Sequence, residues 1–483
     1  MRRFLLVVGV AASLVVIGAA VAATINGTKG NDTIRGTARA DVLNGRGGSD
    51  TISGLAGNDR ISGGPGNDRI SGGGGKDIVS CGAGIDRVQA DRLDVVAKDC
   101  EVVTRAAVST PPTPQTPPTL PPVRVALRAA GPPEVMFDWT NDRCEDADIP
   151  DLPARAFRDA NGNVQLLASH YVTRVSVGPD LDHLTHRCRV VHGSQSNPDP
   201  SVFADREWIA STYTTDGRTV YALLHDEYHG YEHPGQCTVG WPAAFSSCWY
   251  NAITLAVSTD SGETYVDQPQ PRLVASEPIR YVPDVGPIGV FTPSNIVRNP
   301  ADNYYYALVY VGWIWPRNGA CLIRTQNLAD PASWRAWSGG KSFNTSFIDP
   351  YRSKDLPSAH SCRTLENLGP KQTPQPGSIT FSSVAQQWLW VGETVGGAHF
   401  SLSPDLINWT TPELFFPAQE TWNYKCGDSD PYQYPSLIDP ASTSRNFETV
   451  GDTAYLYYTL HHYSNCGQTL DRDLVRVPIT ITR

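Results

Sequence analysis

A nine-residue period near the start of the chain restricts its fold more than any other feature of the sequence. An aspartate recurs at every ninth position, and an aliphatic residue follows each aspartate two positions later. A glycine precedes each aspartate by two positions, except in the second copy, where Arg39 replaces it. This pattern predicts a solenoid whose aliphatic residues stack into a core, with a disordered Gly/Asp-rich linker as the alternative. The aspartates are Asp32, Asp41, Asp50, Asp59, Asp68, Asp77 and Asp86.

The fifth copy, residues 63–71, reads Gly-Gly-Pro-Gly-Asn-Asp-Arg-Ile-Ser. It resembles the calcium-binding nonapeptide repeats of the repeats-in-toxin (RTX) family. The resemblance implies a parallel β-roll over residues 24–105, with two nonapeptides in each coil and Ca²⁺ as the cofactor. It also implies that the seven aspartates are the metal ligands, each sharing an ion with the aspartate 18 residues further on. Because Arg39 and Cys81 replace expected glycines, we expect the second and seventh copies to be weaker.

The first 23 residues have the pattern of a secretory signal peptide, with a short basic start, an apolar run and a small-residue end. An uncleaved anchor helix is the alternative. No later apolar run is long enough to span a bilayer, so we expect no membrane-spanning segment after cleavage. The mature protein is therefore predicted to be secreted and extracellular, with attachment to the cell surface left open.

The ten cysteines suit an oxidising compartment, and none forms a C-x-x-C motif. We predict that Cys81 and Cys100 cap the array and that the other cysteines pair in sequential order. Those further pairs are Cys144–Cys188, Cys237–Cys248, Cys321–Cys362 and Cys426–Cys466. The formal net charge is −10, and no basic stripe appears, so nucleic acid is not expected as a partner.

A Pro/Thr-rich linker, residues 106–133, separates the array from a region of different composition. All 12 tryptophans and all 20 tyrosines lie beyond residue 133. The region 134–483 contains five units of about 70 residues, each read as a meander of three short strands. Such units predict an all-β fold, a five-bladed β-propeller. A six- or seven-bladed propeller would leave the number of second strands unexplained.

Two turns in this region carry a second resemblance. Residues 258–265, Ser-Thr-Asp-Ser-Gly-Glu-Thr-Tyr, resemble the Asp-box of sialidases and other propellers. Residues 403–409, Ser-Pro-Asp-Leu-Ile-Asn-Trp, resemble turns of five-bladed glycoside hydrolases of the arabinanase, xylosidase and invertase-like group. Both turns are structural in those families, and the chain shows neither a W-M-N-D-P-N-G nor an E-G-P catalytic motif. The resemblance therefore implies the fold and a carbohydrate partner, such as a cell-surface glycan.

Polar residues collect where first strands begin and second strands end, which is one rim of a propeller. By position, the resemblance implies Asp151 as the base, Glu227 as the acid and Asp205 as the residue that tunes it, with Asp148 competing for the role of base. Predicted substrate contacts are Arg155, His170, Arg206, His225, His229, Glu393, Tyr434 and His461.

Within the segment 225–229, His225, Glu227 and His229 point to one face of a strand. They could bind a metal, act as acid and base, or form a hydrogen-bonded rim that orders the loop 230–248. Three functions remain open: a secreted, calcium-dependent glycoside hydrolase; a non-catalytic glycan-binding or adhesion propeller displayed by the array; and another propeller enzyme, such as a metal-dependent hydrolase or lyase.

Overall fold

The chain divides into two compact units, Met1–Leu120 and Pro121–Arg483. The predicted signal peptide lies outside the described residues, apart from Ala23, and so does most of the Pro-rich linker. Among the residues that are described, no helix has the length and apolarity that crossing a membrane requires. The computed structural model describes residues 23–37, 40–55, 57–73, 75–90, 93–105, 124–168, 170–240, 247–314, 317–354, 360–368 and 375–483.

The described part of the first unit is a parallel β-roll. Its odd-numbered strands form one five-stranded sheet and its even-numbered strands form another. From β1 to β8, neighbouring strands are in register at an offset of 18 residues, as in the pairs Ile34–Ile52 and Leu43–Ile61. Two nonapeptides therefore make one coil, as predicted. The strands are β1 (Thr24–Asn26), β2 (Thr33–Arg35), β3 (Val42–Asn44), β4 (Thr51–Ser53), β5 (Arg60–Ser62), β6 (Arg69–Ser71), β7 (Ile78–Ser80), β8 (Arg87–Ala90), β9 (Val95–Val96) and β10 (Val102–Arg105).

The core of the β-roll is a single column of aliphatic side chains between the two sheets. Each short strand turns one aliphatic residue inward, because alternate residues of a strand face opposite sides. The predicted disulfide Cys81–Cys100 is present beside the last coils, with its Cα atoms 5.1 Å apart. The buried aliphatic residues are those predicted: Ile34, Leu43, Ile52, Ile61, Ile70, Val79 and Val88.

In the second unit, the described residues form a propeller of five blades, preceded by a one-turn helix α1 (Trp139–Asp142). In each blade the predicted first, second and third strands are adjacent, and the structure adds outer strands that the sequence did not indicate. Blades two and three share hydrogen bonds between β19 (Trp249–Ser258) and β22 (Ile288–Phe291). The strands are β11 (Ala126–Ala129) and β12 (Glu134–Phe137); in blade one β13 (Arg155–Arg158), β14 (Val164–Leu167), β15 (Val172–Gly178) and β16 (Thr185–Gly193); in blade two β17 (Arg206–Thr214), β18 (Val220–His229), β19 (Trp249–Ser258), β20 (Val266–Asp267) and β21 (Leu273–Ala275); in blade three β22 (Ile288–Phe291), β23 (Val297–Arg298), β24 (Tyr305–Ile314), β25 (Arg317–Thr325), β26 (Arg335–Ala336) and β27 (Thr345–Ser346); in blade four β28 (Gln375–Ser382), β29 (Gln387–Thr394), β30 (Gly397–Ser403) and β31 (Glu413–Pro417); and in blade five β32 (Tyr432–Ile438), β34 (Thr453–Ser464) and β35 (Gly467–Thr482). The two-residue strand β33 (Thr449–Val450) lies between β32 and β34 in the chain but pairs with β28 of blade four.

The two ends of the propeller sequence close its ring. Strand β11 pairs antiparallel with β35, so that Ala126 lies opposite Thr482, and it forms the outer edge of blade five. Strand β12 also pairs with β35. The predicted linker, 106–133, therefore extended too far: Ala126–Ala129 belongs to a blade.

Apolar packing between the blades holds the ring together. Each pair of neighbouring blades buries one cluster between them, including the closing pair, blades five and one. The four predicted disulfides of this unit are all present. The predicted turns have their structural role: Asp260 accepts the Thr264 N–H at 2.9 Å, and the Trp409 side chain is buried. This packing gives the propeller an apolar core of its own.

Candidate calcium array and candidate active site

The repeat aspartates contact one another along the β-roll. The backbone N–H of each of the first five donates to Oδ1 of the aspartate 18 residues further on, at 2.8 Å from Asp32 to Asp50 and at 2.8 Å from Asp41 to Asp59. The same bond joins Asp50 to Asp68, Asp59 to Asp77 and Asp68 to Asp86. The predicted pairs are therefore neighbours in the structure.

The second carboxylate oxygen, Oδ2, is buried and lacks a hydrogen-bond partner in Asp50, Asp59, Asp68 and Asp86. Around Asp50 this oxygen converges with a carbonyl: a Cβ added at Gly45 would lie 2.3 Å from Asp50 Oδ2 and 2.3 Å from the Gly63 carbonyl oxygen. Only glycine leaves this space open. Calcium takes carboxylate and carbonyl oxygens as ligands, and a buried carboxylate oxygen without a partner is costly. The residues present therefore fit Ca²⁺.

Electrostatics favours a cation in the same place. Burial raises the pKa of Asp50, Asp59 and Asp68, and the charge of neighbouring repeat aspartates raises it further. Asp41 differs: burial raises its pKa, but hydrogen bonds from the N–H groups of Ala23 and Thr37 outweigh burial and lower it. A dication would offset the repulsion among the inner carboxylates.

The first two copies satisfy their carboxylates within the protein. Asp32 Oδ2 accepts the N–H of Thr28 at 2.6 Å and its hydroxyl at 3.0 Å, and Thr37 makes the same pair of bonds to Asp41. The weakness of the second and seventh copies stays a prediction, because the first copy makes the same bonds as the second, and Asp86 Oδ2 of the seventh copy is buried without a partner like those of the inner copies. We expect calcium sites to fill most readily from Asp50 onward.

In the propeller, Glu227 near the end of β18 lies between two histidines, as the strand period predicted. His229 Nε2 is 2.9 Å from Glu227 Oε2, and His225 Nδ1 is 3.4 Å from Oε1. The other ring nitrogen of His225 lies 3.1 Å from Asn251 Oδ1. Both oxygens of Glu227 therefore face an imidazole.

The two histidines differ in charge. Burial lowers the pKa of His225, despite the nearby Glu227 carboxylate. Burial also acts to lower the pKa of His229, but hydrogen bonds with Glu227 and Glu232 outweigh it and raise this pKa to about 9. At neutral pH, His229 is an imidazolium and His225 is neutral.

Arg206 is anchored at the edge of this cluster. Its Nε donates to Glu232 Oε2 at 2.9 Å, and its guanidinium lies 4.7 Å from the centre of the Tyr171 ring. The hydrogen bond from His229 lowers the pKa of Glu232 to about 2 against the opposing effect of burial, and Arg206 adds to the lowering. Glu232 is thus an anion that holds both cations in place.

Asp151 from blade one faces the same space. It contacts the guanidinium of Arg472, and its Oδ2 lies 3.8 Å from His170 Nε2. The other ring nitrogen of His170 lies 2.9 Å from the Ala147 carbonyl oxygen. Burial lowers the pKa of His170, and the charges of both Asp151 and Glu227 act in the opposite direction. These two carboxylates therefore border one polar mouth.

Asp205 is placed differently from the other predicted catalytic residues. Its side chain is fully buried; Oδ2 accepts the His229 N–H at 2.9 Å and lies 3.0 Å from His233 Nε2. It therefore supports the backbone of His229 from behind, without reaching the mouth.

Arg155 lies in the central channel and joins all five blades. Its Nε donates to the Ala210 carbonyl of blade two at 3.0 Å. The two terminal nitrogens donate to its neighbour Ala154 and to Ser436 of blade five. They also donate to the carbonyls of Pro293, which precedes β23 of blade three, and of Gly377, within β28 of blade four. Burial lowers its pKa to about 9. All five N–H donors of the guanidinium are used, which leaves none for the substrate contact that we predicted.

The remaining predicted contacts, Glu393, Tyr434 and His461, lie on the side of blades four and five. Glu393 is fully buried and accepts the Tyr434 N–H at 3.3 Å; burial raises the pKa of Glu393 well above its usual range. Tyr434 has a positive φ of 62°, and Asp151 and Glu227 both act on its pKa, which burial raises. Burial lowers the pKa of His461 to about 3. This side of the mouth therefore contributes neutral groups.

Sequence reasoning missed Arg472 and Glu232. Arg472 lies on β35, at the far end of the chain from Asp151, and no local pattern indicated their contact. Glu232 follows the segment 225–229 closely and could have been included with it. A cavity of about 780 Å³ lies at the opposite rim, lined by residues such as Tyr306, Phe381 and Trp388, and it contains no predicted site residue.

Comparison with known proteins identifies the array. The family model for the RTX calcium-binding nonapeptide repeat matches residues 26–61 and 53–88. This match confirms the predicted repeats, and the cofactor of this segment is calcium. A search of curated proteins finds no match to the chain.

Solved structures similar to the chain match it at low identity. A Dyadobacter fermentans protein of unknown function is 10% identical, with a TM-score of 0.39 over 74% of this chain and 99% of its own. The RS223 β-xylosidase is 12% identical, with a TM-score of 0.40 over 71% and 94%. An endo-arabinase from Bacteroides thetaiotaomicron is 10% identical, with a TM-score of 0.36 over 72% and 96%. These values are too low to assign an activity.

Proposed function

We propose that the propeller is a secreted glycoside hydrolase whose active site is the polar mouth between Asp151 and Glu227. One observation carries the proposal: two carboxylates from neighbouring blades border the same space, and each is oriented by a cation and a histidine. Hydrolysis of a glycosidic bond requires two such carboxyl groups with separate roles. The five disulfides support an oxidising, extracellular location.

In this reaction the bond between the anomeric carbon and the leaving oxygen breaks, and the oxygen of a water forms the new bond. Asp151, fixed by Arg472 and His170, takes a proton from that water. Glu227 gives a proton to the leaving oxygen. His229, an imidazolium at neutral pH, supplies that proton to Glu227 across the 2.9 Å between its Nε2 and Glu227 Oε2. After the bond has broken, Asp151 releases its proton to solvent and His229 regains one from solvent. Asp205 acts as a positioning residue through the backbone of His229.

The other polar groups of the mouth supply contacts to sugar hydroxyls in this proposal. His170, His225 and His461 are neutral imidazoles, because burial lowers each pKa. Neutral imidazole both donates and accepts hydrogen bonds, as hydroxyl groups do. Arg206 and Tyr434 complete the set, whereas the buried Glu393 acts through Tyr434.

A non-catalytic glycan-binding propeller is the second candidate. The observation that favours it is that both oxygens of Glu227 already face histidines, as in an ordered rim that supports the following loop. In that case the mouth binds a sugar without breaking a bond.

Substitution of the two carboxylates tests these alternatives. A panel of 4-nitrophenyl glycosides and linear polysaccharides identifies turnover or binding for the calcium-loaded protein. Glu227→Gln and Asp151→Asn should each reduce turnover by about 10²–10⁴-fold, with binding and melting temperature nearly unchanged. Glu413→Gln, an exposed position on β31, is the matched control.

The outcomes separate the candidates. Full turnover in both variants would contradict the catalytic assignment. Binding without turnover in the wild-type protein, weakened by Glu227→Gln, would support the glycan-binding propeller. A loss of melting temperature with unchanged ligand binding would make Glu227 a structural residue.

A further inference from the structure

Trp422 is the only exposed tryptophan among the residues that the structure describes. Its relative exposure is 44%, and the other large apolar side chains with comparable exposure are valine, isoleucine or leucine. It lies in the one-turn 3₁₀ helix Thr421–Asn423, which follows β31. Large aromatic side chains dominate binding interfaces because one ring covers much apolar area. An exposed tryptophan on a short, ordered turn therefore indicates a contact with a ligand.

The turn that carries Trp422 is firmly held. Glu420, directly before it, is buried, accepts the Gly396 N–H and lies 3.3 Å from Asn423 Nδ2. Glu420 also bridges to Tyr432 at the start of β32. Beyond the turn, the Cys426–Cys466 disulfide ties the loop to the hairpin between β34 and β35. Because the loop is fixed at both sides, binding at Trp422 costs little ordering of the backbone.

A second aromatic surface follows immediately. The rings of Tyr424 and Tyr463 are in contact, with their centres 4.0 Å apart. The N–H of Tyr463 donates to Asp430 Oδ1 at 3.3 Å. Both tyrosines are half-buried, so each combines a packed ring with an accessible part.

These aromatic residues belong to the rim of the mouth. Trp422 and Tyr424 lie in the loop from the end of β31 to the start of β32, Tyr463 lies near the end of β34, and the starts of the inner strands surround the mouth. On one side, the charge of Glu420 adds to burial in raising the pKa of Glu393, and Glu393 accepts the Tyr434 N–H. On the other side, burial raises the pKa of Tyr463, and the charge of Arg472 acts to lower it. Arg472 also contacts Asp151.

We propose that Trp422, with the Tyr424–Tyr463 pair, forms a sugar-stacking platform for a residue of a glycan chain whose cleaved bond lies in the mouth. The C–H face of a sugar ring is apolar and packs on an aromatic face, while its hydroxyl edge remains in water. The inference rests on the proposed function and deepens it. The substrate class is an oligosaccharide or polysaccharide, because the platform takes a sugar residue other than the one whose bond is cleaved.

The charges around the platform favour a neutral chain. The carboxylates of Glu420, Asp428 and Asp430 lie in the same loop with one lysine, Lys425. Asp430 and Asp473 hold His462 from both sides, at 2.7 and 3.0 Å. A uronate-rich chain would be repelled by this local excess of acidic groups.

Kinetics on a short and a long substrate test the platform. Trp422→Ala should lower kcat/KM on a linear neutral polysaccharide, α-1,5-arabinan or β-1,4-xylan, by about tenfold, mainly through KM. The same variant should change turnover of a 4-nitrophenyl monosaccharide glycoside by less than about twofold. Trp422→Phe, which retains a ring, should recover part of the loss. Leu414→Ala, at an equally exposed apolar residue on β31, is the control and should behave as wild type.

Affinity electrophoresis separates failure of this inference from failure of the proposed function. If no glycoside is cleaved but neutral polysaccharide retards the wild-type protein and not Trp422→Ala, the platform stands and the hydrolase proposal fails. Equal losses on the short and long substrates, no loss on either, or no binding of any neutral polysaccharide would overturn the platform. Stronger retardation by polygalacturonate than by neutral chains would overturn the assigned substrate class.

Discussion

The β-roll and the propeller are both built from short strands, but they differ in the side chains that they bury. The β-roll buries one aliphatic residue per nonapeptide and, beside it, a row of carboxylates. The propeller buries an apolar cluster between every pair of blades and is crosslinked by four disulfides. From this difference we expect the β-roll to depend on bound calcium for its stability, whereas the propeller is stabilised by its apolar core.

Removal of calcium should produce the largest difference between the units. With the repeat carboxylates uncompensated, we expect the β-roll to lose its β structure completely, because its narrow core cannot offset their repulsion. Far-ultraviolet circular dichroism of a 24–105 fragment, with chelator and with millimolar calcium, measures this change. Tryptophan fluorescence of the full chain reports on the propeller alone, since all tryptophans lie beyond residue 133, and it should not change. A fragment that is equally ordered in chelator would contradict the comparison.

Arg155→Met should destabilise the propeller by about 3–5 kcal/mol, because it leaves several buried oxygens of different blades without their donor. Denaturant unfolding followed by tryptophan fluorescence measures the loss. The calcium-dependent transition of the β-roll should be unchanged. Arg128→Met, at an exposed position of β11, is the control and should have little effect. An unfolding midpoint equal to that of wild type would show that the guanidinium does not hold the ring.

Alkaline pH should weaken the propeller through His229. Its pKa is raised from an ordinary value near 6.5 to about 9, so its contribution is fully present below pH 6.5 and is lost as the pH rises through 9. The contribution is at most about 3 kcal/mol. Unfolding free energies at pH 6 and pH 9.5, at fixed calcium, should differ less in Glu232→Gln than in wild type. The control is His183→Gln, at an exposed histidine, which should show the same change in unfolding free energy between pH 6 and pH 9.5 as wild type. If Glu232→Gln also shows the wild-type change, His229 is not the cause of the pH dependence.

A matched pair of glycine substitutions should give the smallest effect and locate the ion. A Cβ at Gly45 would meet Asp50 Oδ2 and the Gly63 carbonyl, whereas a Cβ at Gly47 has no neighbour closer than 3.6 Å. Gly45→Ala should therefore cost about 1–3 kcal/mol of calcium-loaded stability and raise the calcium midpoint. Gly47→Ala should leave both unchanged. Calcium titration followed by circular dichroism makes the measurement; equal behaviour of the two variants would place the ion elsewhere.

The β-roll could be predicted from the sequence almost residue by residue, because each copy repeats the same local geometry. Ile52 and Ile61 are buried for the same reason, at the same position of their nonapeptides. The inner strands of the blades were also predictable, since alternation and turn residues are local signals. The outer strands were not, because β20 and β26 are two residues long and depend on their neighbours for pairing.

The candidate site was predictable only in part. His225, Glu227 and His229 share a face because of the strand period, which the sequence contains. The contact of Asp151 with Arg472 and the five-blade role of Arg155 depend on how the ring closes. Arg155 begins an inner strand, and this position predicted a substrate contact at the mouth. The structure places its side chain in the central channel instead.

The pairing of β11 with β35 also dictates an order of events during synthesis. A ribosome releases Ala126 long before it adds Thr482, so blade five lacks its innermost, central and third strands until residues 432–482 have been synthesised. The nascent propeller therefore remains an open ring with an unpaired edge, a state prone to wrong association. The β-roll has no such delay, because each coil pairs with the one just made. Truncation before Ile479 would spare the β-roll and remove the residues with which β11 pairs.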